Sequence, residues 1–246
     1  MVKDLFSGHA GEYAAFRPTY PEALYQFIFK RCTHFDKAWD CGTGNGQVAQ
    51  QLAQTFKEVT ATDISRSQLQ HAVQAKNISY VIAPAEDVPF AVDSFDLITA
   101  GQAIHWFDLE LFYKECLRVG KNNAVVAFFG YSPVRGDTFL NEIIDEFYFN
   151  AIYSYWEAER KIVEDRYASL YFPFEEIPSP SFRITVEWSA IDLEGYLNTW
   201  SSVKKYIREK GVNPVDELMD QIKTCWKEPR QSLYFPVFLK LGRIHK

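Results

Sequence analysis

Hydrophobic and polar positions in the first half of the chain follow two alternating periods. Short apolar runs of strand length occur at Lys37–Cys41 and in "EVTATD", "ISYVIA", "FDLITA" and "AVVAFFGY". Between them, apolar residues recur at three- and four-residue spacing, the period of a helix that buries one face. The segment after Tyr20 has Pro21 in its first turn and Leu24, Phe27 and Ile28 on one side, which predicts a helix. A second helix is expected near residues 47–55, and a third from Ser65, whose hydroxyl suits an N-cap. "DLELFYKECLRV" puts Leu109, Phe112, Tyr113, Cys116 and Leu117 at helical spacing behind Asp108 as cap. Strand and helix signals that alternate in this way predict an α/β fold. The expected form is doubly wound: a mostly parallel seven-stranded sheet with helices on both faces.

Beyond Tyr131 the pattern changes. Residues 139–174 hold eleven aromatics on a helical background and end in the loop-like "FPFEEIPSPS". "FRITVEW" reads as a sixth strand. "DLEGYLNTWSSVKKYI" carries Leu193, Tyr196, Leu197, Trp200, Val203 and Ile207 on one stripe, as one amphipathic helix would. "LYFPVFLKLG" reads as the last strand, and Pro236 within it implies an edge position or a bulge. The expected organisation is a single domain over residues 1–246. Two helical excursions, about 132–179 and 190–230, are expected to form a lid.

Composition narrows the function classes. With 246 residues, 47% hydrophobic and 24% charged, the chain sits in the ordinary globular range. A net charge of −6 disfavours a phosphate-backbone partner, since such proteins usually present a basic face. The four cysteines are scattered and no histidine lies at ligand spacing, so no metal site is expected and reduced thiols are. The opening residues lack the pattern of a secretory leader and no apolar run reaches membrane-spanning length. A cytoplasmic enzyme without a membrane partner is the expectation.

The chemistry begins at "DCGTGNG", where the first strand meets its helix. Gly42, Gly44 and Gly46 alternate with larger residues there. Each costs backbone entropy, so either the turn is tight or a ligand lies against bare backbone. Dinucleotide dehydrogenases place a third glycine where this chain has Gln47, which disfavours a nicotinamide cofactor. Asp40 precedes the loop and can anchor it. Asp63 ends the second strand about twenty residues beyond the glycines, where a carboxylate can bridge two ribose hydroxyls.

Asp40-x-Gly42-x-Gly44-x-Gly46 resembles the first motif of the S-adenosylmethionine-dependent methyltransferases with a Rossmann-like fold. "AGQAIHWFD", "EYAAFRPTYP" and "GYLNTWSSV" are similar to a subset that includes trans-aconitate methyltransferases and other small-molecule methyltransferases. The resemblance spans nearly the whole chain and implies S-adenosylmethionine as cofactor. It implies that Asp40, Gly42, Thr43 and Gly44 cradle the donor, with Asp63 and Ile64 at its ribose. Ala85 and Glu86 would meet the adenine, although Pro84 stands where relatives commonly carry an acid. Tyr13 and Arg17 would meet the methionine carboxylate, and Gln102 would complete the pocket. The glycines would then be bare because side chains would occupy the donor's volume.

His105 is the candidate base, should the acceptor be a hydroxyl, because its unperturbed pKa lies near 6.5. Trp106, Tyr131 and Trp200 are candidates for the acceptor side. The expected reaction is methyl transfer to a small molecule at oxygen, carboxylate or hydroxyl. The alternatives are an RNA or protein methyltransferase, or a regulatory protein that binds the donor without turnover.

Overall fold

Successive residues of the central strands point into two different cores. Ala38, Leu97, Val125, Ala127 and Phe129 join one apolar cluster, while Trp39, Ile98, Val126 and Phe128 join another on the opposite face. Burial on both faces is why these strands read as continuous apolar runs rather than as alternating ones. In this computed structural model, which describes residues 16–246, the strands are β1 (Lys37–Cys41), β2 (Glu58–Asp63), β3 (Ile78–Ile82), β4 (Phe95–Gly101) and β5 (Gly120–Tyr131). They run parallel in the order β3-β2-β1-β4-β5. The chain moves outward from β1 to β3 and then returns to place β4 on the other side of β1. The strand order therefore reverses between β1 and β4.

Helices α1 (Glu22–Phe29) and α2 (Gln47–Leu52) cover one face through Leu24, Ile28, Val48 and Leu52. Helix α4 (Leu109–Val119) covers the other through Phe112, Tyr113, Cys116 and Val119. The caps are those the sequence suggests. Ser65 Oγ accepts from Gln68 N–H at 3.3 Å, starting α3 (Arg66–Gln70), and Asp108 Oδ1 accepts from Leu111 N–H at 3.2 Å.

The sheet is mixed and, among the described residues, has eight strands, one more than the sequence predicts. Strand β8 (Gln231–Arg243) pairs antiparallel with β5 on one side and with β7 (Phe182–Trp188) and β6 (Glu175–Glu176) on the other. The extra strand is only two residues long and carries two exposed acids, so no periodicity announces it. Pro236 occupies neither an edge strand nor a bulge. Its carbonyl accepts from Ser132 N–H at 2.9 Å, one residue past the end of β5. A strand residue's N–H and C=O point to the same side, so the missing proton faces the end of that ladder and costs no bond with β7.

Residues 139–174 are not one helix. They form α5 (Thr138–Glu146), a π-helical turn at Phe147–Ala151, a 3-10 turn at Tyr153–Tyr155 and α6 (Arg160–Glu164). The stripe over 190–207 is likewise divided into α7 (Ala190–Asn198) and α8 (Ser201–Lys210). At the break, Thr199 Oγ1 donates to Tyr196 O at 2.6 Å and Trp200 turns extended, with ψ at 133°. The apolar spacing continues across the break, so periodicity alone could not reveal it. With α9 (Pro214–Cys225), both excursions pack into the α1–α2 core through Leu140, Ile144, Leu197, Val203, Leu218 and Ile222.

Asp96 fixes the lower ends of β1, β4 and β5. Its buried carboxylate accepts from Asp36 N–H at 3.0 Å, Lys37 N–H at 2.9 Å and Lys121 Nζ at 2.6 Å. Removing a carboxylate that satisfies two backbone donors and an ammonium leaves those donors short of partners. Asp96→Ala should lower unfolding free energy by about 2–3 kcal/mol, read as a lower urea midpoint at unchanged slope.

Candidate active site

The parallel strands all end on one side, and the residues that follow them converge on a cleft of about 320 Å³. Gly42, Thr43 and Gly44 come from the β1–α2 loop, Asp63 and Ile64 from the tip of β2, and Ala85 and Glu86 from the segment after β3. Gln102 and Trp106 follow β4, Tyr131 ends β5, and Arg17 precedes α1. A crevice beyond the carboxyl ends of the strands, at the reversal of their order, is where open α/β sheets bind ligands.

Three left-handed glycines shape the first wall, but for different reasons. Gly42 has φ +66°, and a Cβ there would sit 2.5 Å from the Ala103 Cβ and 3.0 Å from the Phe107 ring. At Gly46 a Cβ would collide with the Tyr80 hydroxyl. Gly44 has φ +56°, and a Cβ there would meet none of the described residues within 4 Å. The expectation that all three are bare for a ligand is therefore corrected. Two of these glycines admit the protein's own side chains, and Gly44 lines the cleft with no described residue crowding it.

Asp63 holds the loop in place. Its Oδ2 accepts from Gly44 N–H at 2.8 Å and its Oδ1 from Ser65 N–H at 2.8 Å. Asp40 does not reach the cleft, contrary to its expected contact with a ligand. It is 1% exposed beneath the loop, with Thr43 donating to Oδ2 and Thr99 donating to Oδ1 at 2.7 Å. Strand β1 ends too deep for its carboxylate to pass the loop, so Asp40 braces the loop from below.

Gln102 turns the chain at the end of β4 with φ +54°. Its backbone N–H donates to Phe129 O at 2.7 Å. Its amide then copies a strand residue, accepting from Tyr131 N–H at 2.8 Å and donating to Tyr131 O at 3.3 Å. A non-glycine in this region costs on the order of 1 kcal/mol, and such strain persists where surrounding bonds over-determine it. Arg17 Nη1 donates to Tyr131 Oη at 2.9 Å, which joins the segment before α1 to the end of β5. Glu86 lines the cleft while its Oε1 accepts from Asp108 N–H at 2.8 Å. Tyr13 lies outside the described residues.

His105 and Trp200 stand apart from this cleft. They line a smaller cavity of about 50 Å³ behind it, whose walls share Arg17, Gln102, Trp106, Tyr131 and Glu157 with the cleft. The separation arises because His105 lies in a short 3-10 turn (Ile104–Trp106) that turns its ring inward, to 6% exposure. Trp200 is held among Tyr148, Trp156 and Tyr196, with ring centroids 5.6–5.7 Å away. Burial, with the nearby Arg160 guanidinium as a smaller cause, pushes the His105 pKa down to about 3. The ring is neutral at physiological pH and a weak proton acceptor.

Glu157 and Glu159 also line the cleft and were not among the sequence candidates. They belong to the loop before α6, and nothing in their spacing signals that the first excursion reaches this far. Ala103 and Phe107 are a second omission: they are the reason Gly42 has no side chain. Among the described residues, no group of three or more His, Cys, Asp or Glu side chains is placed to hold a metal ion. No helix there is long and apolar enough to cross a membrane.

Two stability measurements check this geometry. Gly44→Ala should cost only the left-handed strain, about 1 kcal/mol. Gly42→Ala, which adds a clash with Ala103, should cost about 2–4 kcal/mol. Equal losses would contradict the assignment. The second concerns pH. Burial raises the Asp40 pKa from 3.8 to about 6. The folded state thus holds this proton more tightly than the unfolded state, and the associated stability is lost as pH rises through that window. Asp40→Asn should flatten the fall in urea midpoint across the same range.

Comparison with known proteins gives this cleft a context. A model described as "Methyltransferase domain" matches residues 39–128, the stretch from β1 through most of β5. A solved structure of a candidate type II methyltransferase from Anaeromyxobacter dehalogenans is 35% identical, with a TM-score of 0.87, covering 94% of this chain and 99% of that one. A candidate methyltransferase of Dictyostelium discoideum is 29% identical over 98% of this chain and 95% of its own length. Malonyl-[acyl-carrier protein] O-methyltransferase of Salmonella typhimurium is 30% identical over 48% of this chain and 47% of its own length. The glycine loop, the acid at the tip of β2 and these likenesses along the chain agree. The chain belongs to the S-adenosylmethionine-dependent methyltransferases.

Proposed function

We propose that the protein transfers a methyl group from S-adenosylmethionine to the oxygen of a small-molecule acceptor, a carboxylate before a hydroxyl. The observation that carries the reading is the open face of Gly44 beside the Asp63 carboxylate, in a cleft that continues into an aromatic cavity. These residues fit the donor: a bare backbone position, a carboxylate lining the cleft at the strand tip, and an apolar Ile64 beside it. When bound, the donor supplies a sulfonium methyl. An acceptor oxygen held in line would use its lone pair to form the new O–C bond, with the S–C bonding pair going to sulfur as that bond breaks.

Asp63 would accept from the ribose hydroxyls, and the backbone around Thr43 and Gly44 would lie along the sugar and methionine. Ala85 N–H and the second oxygen of Glu86 would meet the adenine edge. Arg17 would pair with the donor's carboxylate through its guanidinium fork. Trp106 and Tyr131, which line both cavities, would wall the path along which the acceptor approaches. The excursions at 132–179 and 190–230 would serve as the lid, since Glu157 and Glu159 bring the first of them to the cleft. Orientation and exclusion of water then supply the acceleration, with no covalent enzyme intermediate.

The state of His105 favours a carboxylate acceptor. A buried neutral imidazole with so low a pKa takes a hydroxyl proton poorly, whereas a carboxylate is ionised at neutral pH. His105 is thus a hydrogen-bonding wall of the acceptor cavity rather than a base. The acidic balance of the chain supports a small acceptor over nucleic acid.

Calorimetric titration with S-adenosylhomocysteine should show one site. Asp63→Ala should weaken it about tenfold or more, and Gly44→Ala should weaken it while leaving a cooperative melt. Tighter binding of NAD would overturn the cofactor assignment. Incubation with methyl-labelled donor and a panel of organic acids, phenols and amines should place label in base-labile methyl esters. Label confined to RNA or protein would favour those acceptors instead. With a carboxylate acceptor the rate should stay flat from about pH 5 to 8. A rise with a midpoint near the ordinary histidine value would restore His105 as the base.

A further inference from the structure

The smaller cavity behind the cleft is lined by groups that lack the partners buried polar atoms normally have. His105 is 6% exposed and, among the described residues, its Nδ1 has no hydrogen-bond partner. The Trp156 indole Nε1 is also fully buried and without a partner among the described residues. Buried polar atoms left unpaired cost about 1–3 kcal/mol each, so a native cavity walled by two such residues calls for an explanation.

Arg160 supplies the charge. Its Nε donates to Tyr148 Oη at 2.9 Å and its guanidinium lies 4.6 Å from the Trp156 ring centroid. Tyr148 in turn donates to Glu164 at 2.9 Å, so the acid nearest in this network is satisfied by the phenol. Arg160 has no carboxylate within ion-pair distance among the described residues. Glu157, the acid that lines the cavity, faces Lys205 at 3.6 Å. A guanidinium and an indole N–H donate only, and a neutral imidazole donates from whichever nitrogen carries its proton. The guanidinium and the indole therefore call for an acceptor with several lone pairs and a negative charge, which His105 joins in holding with its proton on Nδ1.

We propose that this cavity is an acceptor subsite in which Arg160, Trp156 and His105 anchor a carboxylate that is not the group methylated. The reacting oxygen has to lie in the large cleft beside the donor, and Arg160 and Trp156 line only the small cavity. Trp106, Tyr131 and Gln102 form the neck between the two. The acceptor spans that neck: a small organic acid with one carboxylate at the back and its methylated oxygen at the front. Trp200 and Tyr196 pack along the apolar stem between them. A cavity of about 50 Å³ suits a planar carboxylate better than a phosphate ester, which is larger and doubly charged. The proposal rests on the methyltransferase reading for the front of the site and on the unpaired donors for the back.

The test uses the full chain saturated with S-adenosylhomocysteine, titrated with two carboxylates, phenylacetate and glutarate, and with their neutral amides. At least one carboxylate should bind without displacing S-adenosylhomocysteine, and its amide should bind about tenfold more weakly. Arg160→Gln should weaken the carboxylate about tenfold and Trp156→Phe, which keeps the ring but removes the N–H, about fivefold. Both variants should keep wild-type affinity for S-adenosylhomocysteine, which shows that they fold. The proposal is overturned if neither acid binds, if acid and amide bind alike, if S-adenosylhomocysteine competes with the acid, or if phenyl phosphate binds more tightly. Failure of S-adenosylhomocysteine to bind at all would instead defeat the methyltransferase reading, and carboxylate binding would still report on the rear cavity.

Discussion

Two carboxylates at the ends of neighbouring strands hold the glycine loop, and the rest of the site depends on that grip. Asp63 accepts the Gly44 N–H from the side, and Asp40 accepts the Thr43 hydroxyl from below. A loop with three left-handed residues has many alternative conformations and little side-chain packing of its own. Fixing it through strands β1 and β2 transfers the rigidity of the sheet to backbone that a ligand has to meet closely. The same arrangement sets where the cleft opens, because Gly44 is the position where no described residue would crowd a side chain.

The opposite wall is organised by a different device. Gln102 leaves β4 in a left-handed turn and uses its side-chain amide to continue the ladder to Tyr131. Tyr131 accepts the Arg17 guanidinium and packs against Tyr20 at 5.8 Å. One strained residue thus links the end of β4, the end of β5 and the segment before α1. It also places Trp106 and His105 on a turn between the two cavities. The burial that makes His105 a poor base follows from that turn, so the chemistry left to the site is positioning.

The aromatic excursions do more than one task. Most of their rings are core: Phe147, Tyr148, Tyr196 and Trp200 belong to the cluster that covers α1 and α2. Where that core meets the sheet ends, Arg160 lies over Trp156 and a small polar cavity interrupts the packing. A core that could have closed with apolar side chains instead keeps a guanidinium, an indole N–H and an imidazole together. Buried donors of this kind are costly unless something accepts from them.

Much of this was legible in the chain itself. Apolar runs and helical spacing identified β1 to β5 with α1 to α4, because each element buries a face and its period survives in sequence. Asp108 and Ser65 were legible as caps because capping is local. The pairing of a glycine loop with Asp63 was legible because strand length and loop length fix that spacing in any βαβ unit. The tertiary structure decided what depends on contacts between distant segments. It set the reason for each glycine, since Ala103 and Tyr80 come from other loops and strands. It placed Asp40 beneath the loop, Pro236 at a ladder's end and a break in the stripe at Thr199. It also gathered Arg160, Trp156 and His105 into one cavity. Local pattern records which face of an element is buried, and it does not record what lies opposite.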